Sequence, residues 1–238
     1  MSSGKIYLIP TVLHQDASDT IPLSILTGVK DCQVFFVENE KTARRFLKSI
    51  WKEMVIDNYQ WFTIHKAEEQ VKKQFLQIAG SGKNIGIMSE AGCPGVADPG
   101  QLLIEAAQQA GIMIKPLVGP SSILLALMAS GMNGQCFRFN GYLPIESTER
   151  KKRIRELEME SQKDNCTQIF IETPYRNNPL IKDILQAARE ETKLCIAVDI
   201  TAPSENIRTK TIAQWKKDTL DIHKRLAIFL LHAGSGAR

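Results

Sequence analysis

Residues 89–100, SEAGCPGVADPG, follow directly on the apolar run IGIM of residues 85–88. A run of that length bounded by turn residues reads as a buried strand. Its continuation gathers Gly92, Gly95 and Gly100 with Pro94 and Pro99. In open α/β sheets, ligands bind beyond the carboxyl ends of strands, where loop backbone has to approach them. Glycine removes the Cβ that would block the approach, and proline restricts the loop's freedom. A strand-to-helix turn, with Asp98 as N-cap and Pro99 as first helical residue, also accounts for Asp98-Pro99-Gly100. It leaves residues 90–95 without a purpose, so the stretch is read as a ligand loop.

Working outward, the strand-like runs KIYLIP (5–10), VFFVE (34–38), WFTIH (61–65), NIGIMS (84–89) and IMIKPLV (112–118) alternate with amphipathic helical patterns. Those patterns are KTARRFLKSIW (41–51), AEEQVKKQFLQIA (67–79) and GQLLIEAAQQAG (100–111). The alternation predicts a mostly parallel sheet with crossover helices. GPSSILLALMASG (119–131) reads as one buried helix, capped by Ser121 or Ser122 and stopped by Gly131. Beyond it come FRFNGYLP, the charged helix ERKKRIRELEME, the strand TQIFIET, the helix NPLIKDILQAAREE, and the strands LCIAVDI, ENIRTKTI and RLAIFLLHA. Strands now stand closer together, which predicts a second, α+β unit with a mixed sheet. The expected division is an N-terminal α/β domain over 1–118, holding the substrate entry and the ligand loop, and a C-terminal α+β domain over 119–238.

Several function classes fall away. The 238 residues, 43% hydrophobic with a net charge of +4, describe a folded soluble chain whose mild basicity does not itself indicate RNA. Five scattered cysteines without a CxxC pair, and four histidines without an HExxH cluster, signal neither a disulfide framework nor a metal site, and fit a reducing cytoplasm. The start MSSGKIYLIP lacks a signal-peptide core, and ILLALMASGM is too short to span a bilayer, so no membrane role is expected. GSGKN (80–84) is no phosphate loop: Gln77 and Asn84 stand where glycine and a hydroxyl residue are needed, and it precedes a strand. RKKRIR (150–155) suits a phosphate backbone, but Glu146, Glu149, Glu156, Glu158 and Glu160 suit an ion-paired solvated helix equally well.

SEAGCPGVADPG, VGPSSILLALMASG, FRFNGYLP with ERKKRIREL, and FIETPYR occur in an order and spacing that resemble a known family. From Val34 onward the chain resembles the S-adenosylmethionine-dependent tetrapyrrole methylase superfamily. Within it, the similarity is to the ribosomal RNA small-subunit methyltransferase I branch, which methylates a ribose 2′-oxygen. The resemblance implies two α/β domains with S-adenosylmethionine in the cleft between them, and a homodimer. It implies that Ser89, Glu90, Ala91, Gly92, Pro94 and Gly95 lie against the cofactor with Ser121 and Ser122. Ile171, Glu172 and Thr173, and Ile200 and Thr201 after Asp199, would close over it from the second domain.

Two departures from the branch stand out. Its glycine-containing loop T-P-I-G-N-L-G-D-I-T is replaced by IPTVLHQDASDTIP (9–22), longer and without glycine, near where substrate would enter. Its E-D-T-R is replaced by Glu38-Asn39-Glu40-Lys41. The chain ends at Arg238, without the further C-terminal helical segment that many relatives carry. Glu38, Lys41 and Glu90 are the candidate catalytic groups, each equally readable as a strand-end ion pair or cap. For an rRNA or small-ribosomal-subunit substrate, Lys41, Arg44, Arg45, Arg150, Arg153 and Arg176 are the candidate phosphate contacts. Three functions remain open: an rRNA 2′-O-methyltransferase, a methyltransferase acting on another RNA or a small molecule, and a cofactor-binding protein without catalysis.

Overall fold

The structure, a computed structural model, describes residues 4–64 and 68–234. His65 and Ala67, which end one expected strand and open one expected helix, lie outside the described residues. The chain divides into two compact units, Met1–Ser121 and Ser122–Arg238, each with a five-stranded sheet.

The first unit runs β1 (Ile6–Leu8), α1 (Ile25–Asp31), β2 (Val34–Val37), α2 (Glu40–Ile50), β3 (Gln60–Thr63), α3 (Glu68–Gly80), β4 (Ile85–Met88), α4 (Gln101–Gln109) and β5 (Ile114–Pro116). Its strand order is β3-β2-β4-β1-β5, and every pairing is parallel. Period-two alternation sends the strand side chains to two cores. Tyr7, Phe35, Val37 and Met88 pack with Ile25 and Val29 of α1 and with Phe46 and Leu47 of α2. Ile6, Val34, Phe36, Ile85 and Ile87 pack on the other face with Phe75 of α3 and Leu103 of α4. The connections leaving β1 and β2 therefore turn to one face, and the connection leaving β4, which lies between them, turns to the other. Diverging loops at the carboxyl ends of neighbouring strands open a crevice, the place where such sheets hold ligands.

The sequence reading leaves residues 25–31 without a helix. Ile25, Thr27 and Val29 are β-branched and Gly28 is a weak helix former. The helix is held instead by burial of Ile25 and Val29 against the sheet. The N-cap expected at Asp98 is also corrected. The cap residue of α4 is Gly100, at φ 112°, a left-handed conformation that glycine adopts at little cost. Asp98 is engaged inside the loop, where its carboxylate accepts a hydrogen bond from Ser89.

The second unit runs α5 (Ser122–Ser130), β6 (Phe137–Tyr142), α6 (Ser147–Asp164), β7 (Thr167–Ile171), α7 (Asn177–Ala187), β8 (Lys193–Val198), β9 (Asn206–Thr211), α8 (Ile212–Trp215) and β10 (Ala227–His232). The order β6-β7-β10-β8-β9 has one parallel pair, β6 with β7, and is otherwise antiparallel, the mixed sheet expected. Its core joins Ile154 and Leu157 of α6 to Leu180 and Ile184 of α7 over Phe170 and Phe229. Helix α6 is longer than the expected 149–160 and ends where Asn165 turns to φ 49°.

Candidate functional site: a strand-end crevice and a strained sheet edge

In the first unit the loops after β1 and β4 are fastened to each other. Thr11 and Gly92 form an antiparallel bridge, Thr11 N–H donating to Gly92 O at 2.9 Å and Gly92 N–H to Thr11 O at 3.2 Å. Gly92 sits at φ 74°, and a Cβ there would stand 3.3 Å from Leu13 Cδ2 and 3.5 Å from the carbonyl oxygen of Pro120. Conformation and close approach both favour glycine at this point. Cys93 Sγ lies 3.5 Å from the same Pro120 oxygen, so the loop carrying Ser121 touches the 89–100 loop as well.

Between the bridged loops and α2 is a cavity of about 500 Å³, within the size range of small-ligand pockets. Val12, Leu13 and Phe46 give it apolar walls, and Gln15, Thr42 and Ser49 give it hydrogen-bonding groups. Ser89, Glu90 and Ala91 line it from the β4 side, and Arg45 lines it from α2. Helix α2 is aimed at this place by Asn39, whose side-chain oxygen accepts from the N–H groups of Lys41 and Thr42 at 3.0 and 3.3 Å.

Three carboxylates gather around the start of the 89–100 loop. Glu38 Oε2 accepts the Glu90 N–H at 2.9 Å, and the Thr42 hydroxyl is 3.4 Å from Glu90 Oε1. Burial, together with the charge of Glu38, pushes the Asp98 carboxyl up to about 6; the hydrogen bond from Ser89 opposes the shift, and Glu90 adds to it. Glu38, Glu90, Ser89 and Gly92 are thus brought together in one unit. Sequence reasoning missed the part played by Asp98, which looked like a cap. It also missed Thr42 and Ser49, whose signal was their i and i+7 spacing on the face of α2 that carries Arg45.

The cations separate. Arg44 pairs with Glu40 and stands over the Trp61 ring, 5.1 Å from its centroid. Arg45 and Lys41, one turn apart on α2, are exposed and make no ion pair among the described residues. In the second unit Arg150 is only 5% exposed and is bound to Asp183, with its Nε 2.8 Å from Oδ2 and its Nη1 2.6 Å from the carbonyl oxygen of Ile145. Its phosphate role is withdrawn on this geometry, because an inward guanidinium holding a buried carboxylate cannot also reach a solvent-side anion. Arg153 reaches Glu160 at 2.9 Å and Glu156 at 3.2 Å, and Arg176 grips Glu172 at 2.6 and 2.9 Å.

In the second unit β7 and β8 flank β10 and both run antiparallel to it, so their carboxyl ends share one edge of the sheet. Residues 171–173 and 199–201 are therefore on that edge, tied to the approach of β10 by Lys224 N–H donating to Pro174 O at 3.0 Å and by Asp199 N–H donating to Leu226 O at 2.8 Å. Asp199 at φ 50° and Thr201 at φ 71° hold left-handed conformations that are costly for a β-branched residue such as threonine. Glu172 Oε2 and Thr201 Oγ1 are buried polar atoms with no hydrogen-bond partner among the described residues. Two unmet acceptors at one strained edge suit a ligand rich in N–H and O–H donors. Among the described residues no group of three or more His, Cys, Asp or Glu side chains is placed to hold a metal ion, and no helix is long and apolar enough to cross a membrane.

Comparison with known proteins agrees with this architecture. Residues 17–216 match the family model of Tetrapyrrole (Corrin/Porphyrin) Methylases. A ribosomal RNA small subunit methyltransferase I of Vibrio cholerae is 33% identical over 175 residues, which cover 72% of this chain and 59% of that protein. One of Buchnera aphidicola is 28% identical over 98% of this chain and 79% of its own length. Alignment thus reaches less than two thirds of the Vibrio relative's length. Among solved structures, the methyltransferase CobJ covers 97% of this chain and 94% of its own at a TM-score of 0.65 and 16% identity. The uroporphyrin-III C-methyltransferase of Thermus thermophilus complexed with S-adenyl homocysteine covers 96% of this chain and 97% of its own at 0.56 and 14% identity. At such identities the structural likeness speaks for the fold.

Proposed function

Because the chain belongs to the tetrapyrrole (corrin/porphyrin) methylase family, we propose that it is an S-adenosylmethionine-dependent methyltransferase acting on a ribose 2′-oxygen in small-subunit ribosomal RNA. The observation that carries the substrate is the 33% identity to a curated small-subunit rRNA methyltransferase over 72% of the chain. The residues present fit the cofactor. In the second unit, Glu172 Oε2 and Thr201 Oγ1 offer acceptors to its amino and hydroxyl groups, with Ile171, Thr173 and Ile200 beside them. In the first unit, residues 89–92 with Pro94 and Gly95 offer bare backbone at the strand end, with Ser121 following the Pro120 turn, and Ser122 opens the second unit.

When bound, S-adenosylmethionine supplies a methyl group already activated by its sulfonium. What remains for the chain is to orient a hydroxyl, exclude water and receive a proton. Glu90, exposed at the cavity, is the group assigned to the proton. Glu38 positions it by holding its backbone N–H, and Lys41 serves the substrate's charge instead of the proton. Glu90→Gln should lower kcat by about 10²-fold or more while leaving cofactor affinity unchanged. Calorimetry beside turnover separates the two effects, and unaltered kcat would remove Glu90 from the mechanism. A homodimer and a cytoplasmic location accompany this reading, and sedimentation of the purified protein tests the first. The reading as a whole is tested by mapping ribose methylation in the rRNA of a strain lacking the gene. Loss of one 2′-O-methyl mark in the small-subunit RNA supports it, and an unchanged map contradicts it.

A further inference from the structure

The cavity in the first unit has a two-sided chemistry that its position alone does not require. Leu13 and the exposed margin of Phe46 offer apolar contact, Gln15 and Ser49 offer donors and acceptors, and the charged groups Arg45 and Glu90 belong to separate elements, α2 and the loop after β4. Lys41, Arg45 and Ser49 occupy one stripe of α2, each four residues from the next. The adjacent Arg44 is occupied by Glu40 and Trp61, so of two arginines that look alike in sequence only one faces the cavity unpaired.

Resting on the RNA methyltransferase reading, we propose that this cavity accepts a single unstacked nucleotide of the substrate strand, its base between Leu13 and Phe46 and its flanking phosphates on Arg45 and Lys41. A base inside a duplex shows only its edges, whereas an extruded base brings two apolar faces and a polar rim. The cavity offers both kinds of surface, at about 500 Å³. The guanidinium of Arg45 stays exposed, as a contact to a hydrated phosphate requires, and its planar fork matches phosphate oxygens in pairs. The ribose of such a nucleotide lies between base and phosphate, which brings its hydroxyls within the reach of the wall formed by Glu90.

The glycine-free loop after β1 has a use in this arrangement. Ala17 and Ile21 are buried, residues 18–20 form a short 3-10 turn, and the Thr20 hydroxyl donates to Ala17 O at 2.6 Å. The loop is a folded wall, so the nucleotide conforms to it.

Filter binding of small-subunit rRNA between about 50 and 200 mM salt, run beside turnover and cofactor calorimetry, tests the proposal. Arg45→Ala should weaken RNA binding about tenfold and reduce the slope of log affinity against log salt by about one. Ser49→Trp, which fills the cavity from α2, should lower kcat/KM about tenfold or more and keep the salt slope, because the phosphate contacts survive. Lys83→Ala, at the amino end of β4 and so at the far end of the sheet, should match the wild type in all three measurements. Cofactor affinity should be unchanged in Arg45→Ala and Lys83→Ala. A wild-type salt slope in Arg45→Ala, or wild-type turnover in Ser49→Trp, overturns the proposal. If the wild type methylates RNA and both variants equal it, only the cavity assignment falls; if the wild type neither binds nor methylates RNA, the substrate reading falls with it.

Discussion

Asp98 shows how one side chain can take on a burden that its sequence context hides. Its carboxyl is raised from 3.8 to about 6, first by burial and then by Glu38. The folded chain therefore holds this proton more tightly than the unfolded chain does, and protonation favours folding. That contribution is complete below about pH 4, declines as pH rises through the window to about 6, and is absent above it. Asp98→Asn should be more stable than the wild type near pH 8, and its advantage should vanish below about pH 4. Urea unfolding at the two pH values decides it, and an equal difference at both would contradict the burial of Asp98 beside Glu38. Arg150 makes the opposite case: a run of six residues rich in cations suggested a solvent-facing grip, yet its first arginine is internal. Arg150→Ala should destabilise the chain by about 3 kcal/mol, since it removes the main partner of the buried Asp183 carboxylate and leaves it only the Ser147 hydroxyl and Lys151 at 3.5 Å. A loss below about 0.5 kcal/mol is what an exposed cation would give.

At the scale of elements, legibility followed burial pattern. Every strand expected from an apolar run is present, because period-two alternation and turn residues act locally. Helix α1 was not legible, since its stability comes from packing Ile25 and Val29 and not from its own residues. The N-cap of α4 moved to Gly100 for a related reason: Asp98 is turned into the loop, among Glu38, Ser89 and Glu90, by contacts that are distant in sequence. Within the site, the 89–100 stretch was legible as an irregular strand-end loop, but its bridge to Thr11 was not, because nothing in either segment names the other. That bridge makes Gly92 the sensitive point of the crevice. Gly92→Val should abolish cofactor binding in calorimetry and should also cost about 1 kcal/mol or more in stability through its positive φ. Undiminished binding would show that residues 89–95 are only a turn.

At the scale of the molecule, two sheets of different kinds each present an irregular edge: diverging loops at the carboxyl ends of a parallel sheet, and a strained, under-satisfied edge on a mixed one. The fold class was readable because α and β patterns alternate regularly in the first half and crowd together in the second. What the cations do was not readable, because Arg44, Arg45 and Arg150 differ in their partners and not in their type. The central claim is that this arrangement moves a methyl group to ribosomal RNA. Its most direct test is transfer from labelled S-adenosylmethionine to isolated small ribosomal subunits, compared with free rRNA and with a small-molecule extract. The account predicts label in the RNA of the subunits, at a ribose 2′-oxygen, dependent on Glu90 and weakening with salt. Label confined to the small-molecule fraction would contradict it.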